Sequence, residues 1–266
     1  MHQKTSSHKK KSINGLLTVE SSRQLSNNLI EIVFSCDKKL EIDPLWIGPH
    51  LKLLFPVANC SEIVFPLINE EGKIIWQEGT RERVRTYSIR RYDEKSNTIA
   101  VHFVIHQQGV ATTWAQNAQV GDRIGLVAMG SKRRFDEISQ LTLLGDISAM
   151  PAICYTLEHL PANQKTVAII EVRDEKDKLS LALPEYAQLH WLVTPQGSPS
   201  QIMTKLEQLQ LTVDDNALFW GGMESSVSQS LRNFLKDHFA NLSSDSTRLI
   251  SYWREGFAEG QFKHHD

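Results

Sequence analysis

Short apolar runs separated by turn residues fill the first half of the chain. The stretches LIEIVFS (29–35) and HLKLLFP (50–56) are rich in residues that favour sheets, and TIAVHFVIH (98–106) alternates along its length. Proline recurs between these runs, where it would disrupt the interior of a helix. Strands of this length and spacing predict a small antiparallel β-barrel over residues 15–136.

The pattern changes after about Phe135, where continuous apolar runs alternate with amphipathic stretches. Strand–helix alternation of this kind predicts a parallel α/β sheet with helices on both faces, over residues 137–266. The predicted fold class is therefore β followed by α/β, in two domains. The predicted strands are LTLLGD (141–146), TVAIIEV (166–172), LHWLVTP (189–195), NALFWGG (216–222) and STRLISYW (246–253), and the predicted helices are ISAMPAICYTLEHL (147–160), QIMTKLEQLQL (201–211) and SSVSQSLRNFLKDHF (225–239).

Composition and charge narrow the classes of partner. The formal net charge of -2 and the pI of about 6.6 create no global field for nucleic acid or an anionic membrane, and neither is expected as a partner. No apolar run approaches the roughly 18 residues that a membrane helix needs. Residues 1–14 are expected to form a flexible basic tail with no signal-peptide character. Cys36, Cys60 and Cys154 are scattered, which favours reduced thiols in a cytoplasmic protein over a metal or iron–sulfur site.

The stretch RVRTYSIR (83–90) combines a cation, a phenol and hydroxyls on one predicted strand. On a strand, Arg85 and Tyr87 share one face, and Thr86 and Ser88 share the other. A flat aromatic ligand carrying a phosphate would use this mixture, because arginine binds phosphate and tyrosine stacks on a ring. The alternative is an ordinary barrel strand, since the motif is short.

A second motif follows in HFVIHQQGVATTWA (102–115). Gly109 precedes the small and hydroxyl-bearing residues 110–113, and Trp114 lies in a predicted helix. A helix that starts at such a turn offers free backbone N–H groups to an anion. His102 and His106 would share a strand face, but a metal site needs a third ligand, and none is evident nearby. We therefore expect core or flavin-side histidines and no metal site.

Taken together, the motifs resemble a known family. An R-x-Y-S strand followed by a glycine turn and a helix start is similar to the flavin signature of the ferredoxin–NADP reductase superfamily. GPHLKLLFP, RTYSIR, GVATTWA, LLGDISAMPAI, FWGGMES and SYWREG, in this order from about residue 15 to 260, resemble the siderophore-interacting proteins, or ferric-siderophore reductases. The chain departs from the family's LxGDETALPAI pattern, with Ile147 and Ser148 in place of Glu-Thr.

The resemblance implies a flavoprotein that binds FAD, with NADH or NADPH as electron donor. It implies that Arg85, Tyr87 and Ser88 hold the isoalloxazine and phosphate side, and that residues 102–113 hold the ribityl and pyrophosphate part. The carboxyl ends of the parallel strands are where open α/β sheets bind ligands, although glycines there could simply close turns. The cofactor-binding residues expected on these grounds are Arg85, Tyr87, Ser88, His102, Val104, His106, Gly109, Val110, Ala111, Thr112, Thr113, Gly145, Asp146 and Ser148.

The same resemblance implies a basic pocket for an anionic ferric siderophore. Lys52, Lys132, Arg133 and Arg254 are the expected substrate-binding residues, whereas as single residues they read as solvated surface charges. The expected function is cytoplasmic reduction of Fe(III)-siderophore, with Fe(II) released. The alternatives are a ferredoxin or flavodoxin reductase, whose basic residues would dock a small acidic protein, and a non-catalytic siderophore-binding protein. A ferredoxin is also an alternative electron donor.

Overall fold

Strands of the first half form one antiparallel sheet, as the alternating pattern predicts. The computed structural model describes residues 14–57, 62–71, 73–106, 109–239, 242–257, 259 and 261, so the predicted basic tail lies outside the described residues except for Asn14. The seven-stranded sheet has the order β6-β3-β9-β1-β2-β8-β7, and β4 and β5 form a separate hairpin. The elements are β1 (Gly15–Ser26), β2 (Leu29–Cys36), β3 (His50–Leu54), β4 (Leu67–Ile68), β5 (Ile74–Ile75), β6 (Val84–Ser88), β7 (Arg91–Asp93), β8 (Thr98–Val104), α1 (Val110–Asn117) and β9 (Arg123–Gly130).

The sheet curls until its two ends meet. The strands at its two ends, β6 and β7, are joined by Ile89 and Arg90: the Ile89 N–H donates to the carbonyl of Pro49 before β3, and the Arg90 N–H to that of Ala100 on β8 at 2.9 Å. Inward residues of the strands fill the enclosed space, and Phe34, Phe55 and Phe103 are almost fully buried there. The predicted antiparallel barrel is confirmed, and its closure brings β6 beside β8.

The second half forms the predicted parallel sheet, with strand order β12-β11-β10-β13-β14. Its elements are β10 (Gln140–Asp146), α2 (Met150–Glu158), β11 (Lys165–Val172), β12 (Ala187–Val193), α3 (Ile202–Gln208), β13 (Ala217–Glu224), α4 (Ser225–His238) and β14 (Thr247–Trp253). Helix α2 packs into one apolar cluster on the sheet, while α3 and α4 pack into another. Helices therefore cover both faces, and the predicted β followed by α/β fold class is confirmed.

The two halves share their cores. Tyr155 of α2 is buried within the barrel's apolar cluster, while Leu29 and Ile47 of the first half are buried within the cluster on the α/β sheet. Next to these contacts, Arg90 donates two hydrogen bonds to Glu158 of α2, at 2.6 and 2.9 Å. The interface here combines apolar packing with an ion pair whose arginine is buried.

A buried carboxylate makes a second tie between the halves. Asp177 follows β11, is fully buried, and accepts hydrogen bonds from Ser26 Oγ at 2.5 Å and Asn28 Nδ2 at 2.9 Å, both at the β1–β2 turn. It also accepts from the backbone N–H of Asp174, at 2.9 Å. A buried carboxylate needs such donors, so the segment after β11 that carries Asp177 is held against the barrel.

Among the described residues, the helices are all too short or too polar to cross a bilayer.

Candidate functional site: the two faces of strand β6

Strand β6 lies at the edge of the sheet and presents two chemically different faces. Arg85 and Tyr87 stand beside Leu53 and Leu51 of β3, both fully buried, so their face is the one that continues into the barrel. The Tyr87 ring lies against Phe103, with centroids 4.5 Å apart and planes tilted by 44°. The pairing agrees with the sharing of one face that the strand pattern predicts.

The charge states on this face suit an anionic aromatic ligand. Arg85 Nη1 donates to the carbonyls of Glu82 and Val84, at 2.7 and 2.8 Å. A guanidinium has five donors, and the described residues supply these two acceptors, which leaves donors for a phosphate. Burial raises the pKa of Tyr87, with Glu259 acting in the same direction, so the phenol stays neutral at pH 7.

The opposite face of β6 carries Thr86, whose cross-strand neighbour is Lys52. Glu259 reaches this face from beyond β14, and we call residues 254–257 together with Glu259 and Gln261 the C-terminal arm. Its carboxylate accepts the backbone N–H of Thr86 at 3.0 Å and the Thr86 hydroxyl at 2.7 Å, and Lys52 Nζ lies 3.7 Å away. Lys52 Nζ also contacts the Thr86 hydroxyl. Three kinds of donor therefore converge on one anionic group.

Ser88 connects the same face to the α/β sheet. Its buried side chain hydrogen-bonds Tyr252 of β14, and burial raises the pKa of that phenol. The Tyr252 ring lies directly over Gly222, because a Cβ atom at position 222 would come within 2.6 Å of it. The glycine pair at the end of β13 thus makes room for a ring that links the two halves. A side chain at Gly221 would meet the Leu144 carbonyl at 2.0 Å.

The start of α1 presents backbone N–H groups beside Gly109. Gly109 has a φ of 152°, which residues with a side chain rarely adopt, and a Cβ there would come within 2.7 Å of the His106 ring. Within the part of the chain that the structure describes, no side chain caps the helix start. Thr112 Oγ1 donates to the carbonyl of Val104 at 3.4 Å, which places the helix start beside the end of β8. The first N–H groups of a helix lack partners within the helix, so those of residues 110 to 112 are the donors that an anion would use here.

His102 lies in a charged cluster on the outer side of the barrel. Its Nε2 is 3.0 Å from Glu31, which also pairs with Arg91 at 2.9 Å and Arg23 at 3.3 Å. Burial lowers the pKa of His102, whereas the hydrogen bond from the histidine is the largest of the effects that bring the pKa of Glu31 down to about 2. The described residues contain no group of three side chains suited to a metal ion.

At the carboxyl end of β10, Asp146 organises the neighbouring strands. It accepts the backbone N–H of Ser148 at 2.8 Å, that of Glu224 at 3.0 Å, and the indole N–H of Trp253 at 2.7 Å. Burial raises the pKa of Asp146, although these bonds oppose the rise. Gly145 lets the Ile153 side chain of α2 pack close to β10, since a Cβ at position 145 would lie 2.7 Å from that side chain. The carboxylate thereby positions the half-exposed Trp253 at the strand ends.

The four basic residues expected to bind the substrate do not all lie together in one pocket. Lys52 contacts the C-terminal arm, and the guanidinium of Arg254 stacks on Phe257 within that arm, 4.3 Å from the ring centroid. Arg133 instead donates to the carbonyl of Asp245 at 2.8 Å. Lys132 is exposed in the bend after β9.

Sequence reasoning missed the contributions of four residues: Thr86, Tyr252, Glu259 and Glu31. Thr86 lies within the quoted motif, but its role depends on the backbone N–H at the sheet edge, which no side-chain pattern reveals. Glu259 and Tyr252 come from far along the chain. Glu31 alone carried a local signal, as a charge inside an otherwise apolar strand.

The residues present fit a flavin dinucleotide. Gly109 lets the chain pass close to the His106 ring just before α1, and the helix start beside it would supply donors for a pyrophosphate. On β6, Arg85 has donors to spare, and Tyr87 presents a neutral ring at the barrel edge.

Comparisons with known proteins agree with this geometry. The profile of the siderophore-interacting FAD-binding domain matches residues 18–132, and that of the siderophore-interacting protein matches residues 138–256. Ferric vibriobactin reductase ViuB of Vibrio cholerae is 30% identical over 246 residues, which cover 91% of this chain and 89% of the relative. The NADPH-dependent ferric-chelate reductase of Escherichia coli is 30% identical over 208 residues, covering 77% and 78%.

Solved structures point the same way. A siderophore utilization protein from T. fusca superimposes with a TM-score of 0.77 at 25% identity, covering 97% of this chain and 99% of that one. The siderophore-interacting protein SipS from Aeromonas hydrophila, at 23% identity and a TM-score of 0.73, has the same fold. The two profiles together span most of the chain, and the resemblance seen in its motifs is confirmed: the chain belongs to the siderophore-interacting protein family.

Proposed function

We propose that the protein is an FAD-dependent reductase of ferric siderophores, with electrons supplied by NADPH or NADH. The observation that carries the proposal is the division of strand β6, whose Arg85 and Tyr87 face suits a flavin while its Thr86 face adjoins the cation of Lys52. One strand thus brings an electron-transfer cofactor and an anionic substrate close together. The activities named for the relatives from Vibrio cholerae and Escherichia coli support the same reaction.

The residues proposed to hold FAD lie on β6 and at the start of α1. Arg85 supplies a charge-assisted contact to a phosphate, and Tyr87 supplies a ring face. The turn at Gly109 offers the N–H groups of residues 110–112 to the pyrophosphate. When bound, FAD would accept two electrons as a hydride and release them singly, which one-electron reduction of iron requires.

The chain's remaining task is to attract and orient the substrate. Hard oxygen ligands bind Fe(III) much more tightly than Fe(II), so one added electron loosens the chelate. No side chain has to donate or accept a proton in this step. Lys52 and Arg254 would draw an anionic chelate toward the exposed side of β6, because a charged cleft focuses the field on its ligand. Lys132 and Arg133 remain proposed contributors to the same field.

The donor side is proposed to be the carboxyl ends of β10 and β13. Ser148 and Asp146 form a polar turn there, and Gly145 and Gly222 let Ile153 and the Tyr252 ring pack close to the strands beside it. Open α/β sheets bind nucleotides at this edge. A ferredoxin is the alternative electron donor that we propose.

A cytoplasmic location is also proposed, supported by the free thiols of Cys36 and Cys154.

Anaerobic stopped-flow absorbance tests the proposal directly. The FAD-loaded protein is mixed in turn with NADPH, NADH and a reduced ferredoxin while bleaching of the flavin is followed, and the bleached protein is then mixed with ferric chelates. We expect rapid reoxidation by ferric siderophores. A colourless protein that takes up no FAD would overturn the proposal. Tight chelate binding without reoxidation would instead identify a carrier, and reaction with ferredoxin alone a ferredoxin reductase.

A further inference from the structure

The donor set around Glu259 is an anion-binding site that the chain itself fills. The carboxylate has hydrogen bonds of 3.0 and 2.7 Å from Thr86, and an ammonium group 3.7 Å away on Lys52. The site is accessible, since 36% of the Lys52 side chain and 21% of the Glu259 side chain are exposed. A ligand can therefore reach the same donors from solvent.

The geometry of β6 explains why these donors prefer a carboxylate or a similar oxyanion. As an edge strand, β6 turns alternate N–H groups away from its partner β3, and the N–H of Thr86 is one of them. The hydroxyl of Thr86 and the ammonium of Lys52 lie beside that N–H. Hydrogen bonds to an ionised acceptor are roughly twice as strong as neutral ones, so a charged oxygen fits this set best.

The arm that carries Glu259 is tethered close to this site. Arg254 directly follows β14, and the Phe257 N–H donates to its carbonyl at 3.1 Å. The Arg254 guanidinium also stacks on the Phe257 ring. This turn fixes the base of the arm, so Glu259 sits at the end of a short tether. A tethered group competes with a free ligand at an effective concentration in the millimolar range.

We propose that Glu259 is a specificity-determining residue that competes with the substrate's own anionic groups for the Thr86–Lys52 site. The inference rests on the proposed function, because Lys52 is the residue expected to meet the ferric chelate. A trianionic chelate displaces the Glu259 carboxylate and takes its donors. A neutral chelate has no group that Lys52 prefers, so it binds with the arm in place. The arm thereby sets how much negative charge a chelate needs to occupy the site.

Two chelates with the same six-oxygen coordination of Fe(III) and different charge test this proposal. Ferric tris-catecholate is trianionic and ferric tris-hydroxamate is neutral, and the binding of each to the oxidised, FAD-loaded protein is measured by quenching of tryptophan fluorescence. We expect Glu259→Gln to bind the tris-catecholate about fivefold more tightly than the wild type, the factor that about 1 kcal/mol gives. Binding of the tris-hydroxamate should stay unchanged. The matched control is Glu255→Gln, which removes an exposed carboxylate from the same arm.

The results that would overturn the proposal are distinct. Equal affinities of Glu259→Gln and the wild type for the tris-catecholate, or equal gains for Glu255→Gln and Glu259→Gln, would mean that Glu259 does not compete for the site. A change in FAD affinity with no change in chelate affinity would place the Glu259 carboxylate in the flavin's position instead, and the proposal would be withdrawn.

Hydrogen exchange separates this inference from the proposed function. In the ligand-free protein, Glu259→Ala should accelerate exchange of the Thr86 amide, because its acceptor is gone. Equal exchange in both proteins would show that the arm does not engage β6 and would overturn the inference. If the wild type reduces no ferric chelate, the proposed function fails, and the exchange and binding measurements still decide whether Glu259 occupies an anion site.

Discussion

Glu31 and Glu259 are both carboxylates with several donors, yet the molecule holds them in different ways. The partners of Glu31 are Arg23, Arg91 and His102, all on strands of the same sheet as Glu31 itself. Glu259 instead reaches its donors from an arm outside both sheets. The Glu31 side chain is 6% exposed and that of Glu259 is 21% exposed. Similar chemistry is therefore built into the fold in one case and is exchangeable in the other.

Removing Glu31 should have the largest effect on stability. We expect Glu31→Ala to lower the free energy of unfolding by about 2–4 kcal/mol, since it strips a buried histidine and an arginine of their shared acceptor. Urea unfolding followed by circular dichroism measures the change. Glu94→Ala, an exposed carboxylate in the turn between β7 and β8, is the matched control and should change little. A small loss for Glu31→Ala would mean that the cluster is no more fixed than the arm.

Acid should lower the free energy of unfolding in two stages, through His102 and then through Glu31. Burial lowers the pKa of His102, so the unfolded chain binds a proton below about pH 6.5 that the folded chain does not, and stability falls as the pH falls. The pKa of Glu31 is lowered to about 2, so a second loss begins below about pH 4.5 and reaches about 2 kcal/mol by pH 3. Urea unfolding at stepped pH checks both stages. Glu31→Gln should lack the second stage, and an unchanged profile would contradict this account.

Flavin retention tests the face of β6 that carries Arg85 and Tyr87. Arg85→Ala should remove a charge-assisted contact worth roughly 1.5–3 kcal/mol, and FAD affinity should fall about tenfold to a hundredfold. Fluorescence titration of the apoprotein with FAD measures the loss, while circular dichroism confirms that the fold persists. Arg91→Ala removes an exposed arginine from β7 and serves as the comparison, with FAD affinity expected to stay the same. Unchanged flavin content in Arg85→Ala would show that this face does not hold the cofactor's phosphate.

The smallest expected effect concerns Lys52. Lys52→Ala should raise the apparent KM for an anionic ferric chelate about fivefold, less at high salt, because one partly solvated charge is worth about 1 kcal/mol. Steady-state kinetics with tris-catecholate and tris-hydroxamate iron would measure it, with reduction of FAD by the donor unaffected. Equal losses for both chelates would mean that Lys52 acts through packing.

The sequence predicts the fold well because its signals are local. The apolar runs place every strand of the parallel sheet within a few residues, since buried strands have a clear period. The β4–β5 hairpin is not predicted, because its Leu67 and Ile75 are exposed and follow no burial pattern. The β8 strand ends at Val104, so His106 lies beyond it and does not share a strand face with His102.

The candidate site is less predictable because it depends on distant pairs. The two faces of RVRTYSIR follow from the strand period alone. The face of β6 that carries Thr86 and Ser88 is completed by Tyr252 and Glu259. Both lie more than 160 residues away along the chain, where no local pattern relates them to β6. His102 illustrates the same limit, since its neighbour Glu31 becomes adjacent only when β2 pairs with β8.

The placement of Tyr155 in the barrel core affects how the chain acquires its structure during translation. The ribosome releases the barrel strands first, but the barrel's apolar cluster still lacks one of its largest buried side chains until α2 has emerged. Leu29 and Ile47 likewise stay exposed until the α/β sheet that covers them has formed. Because each half leaves apolar surface open until the other is made, the nascent barrel is exposed to aggregation until the strands and helices of the α/β sheet have been synthesised. Vectorial synthesis therefore completes both cores in a single late step.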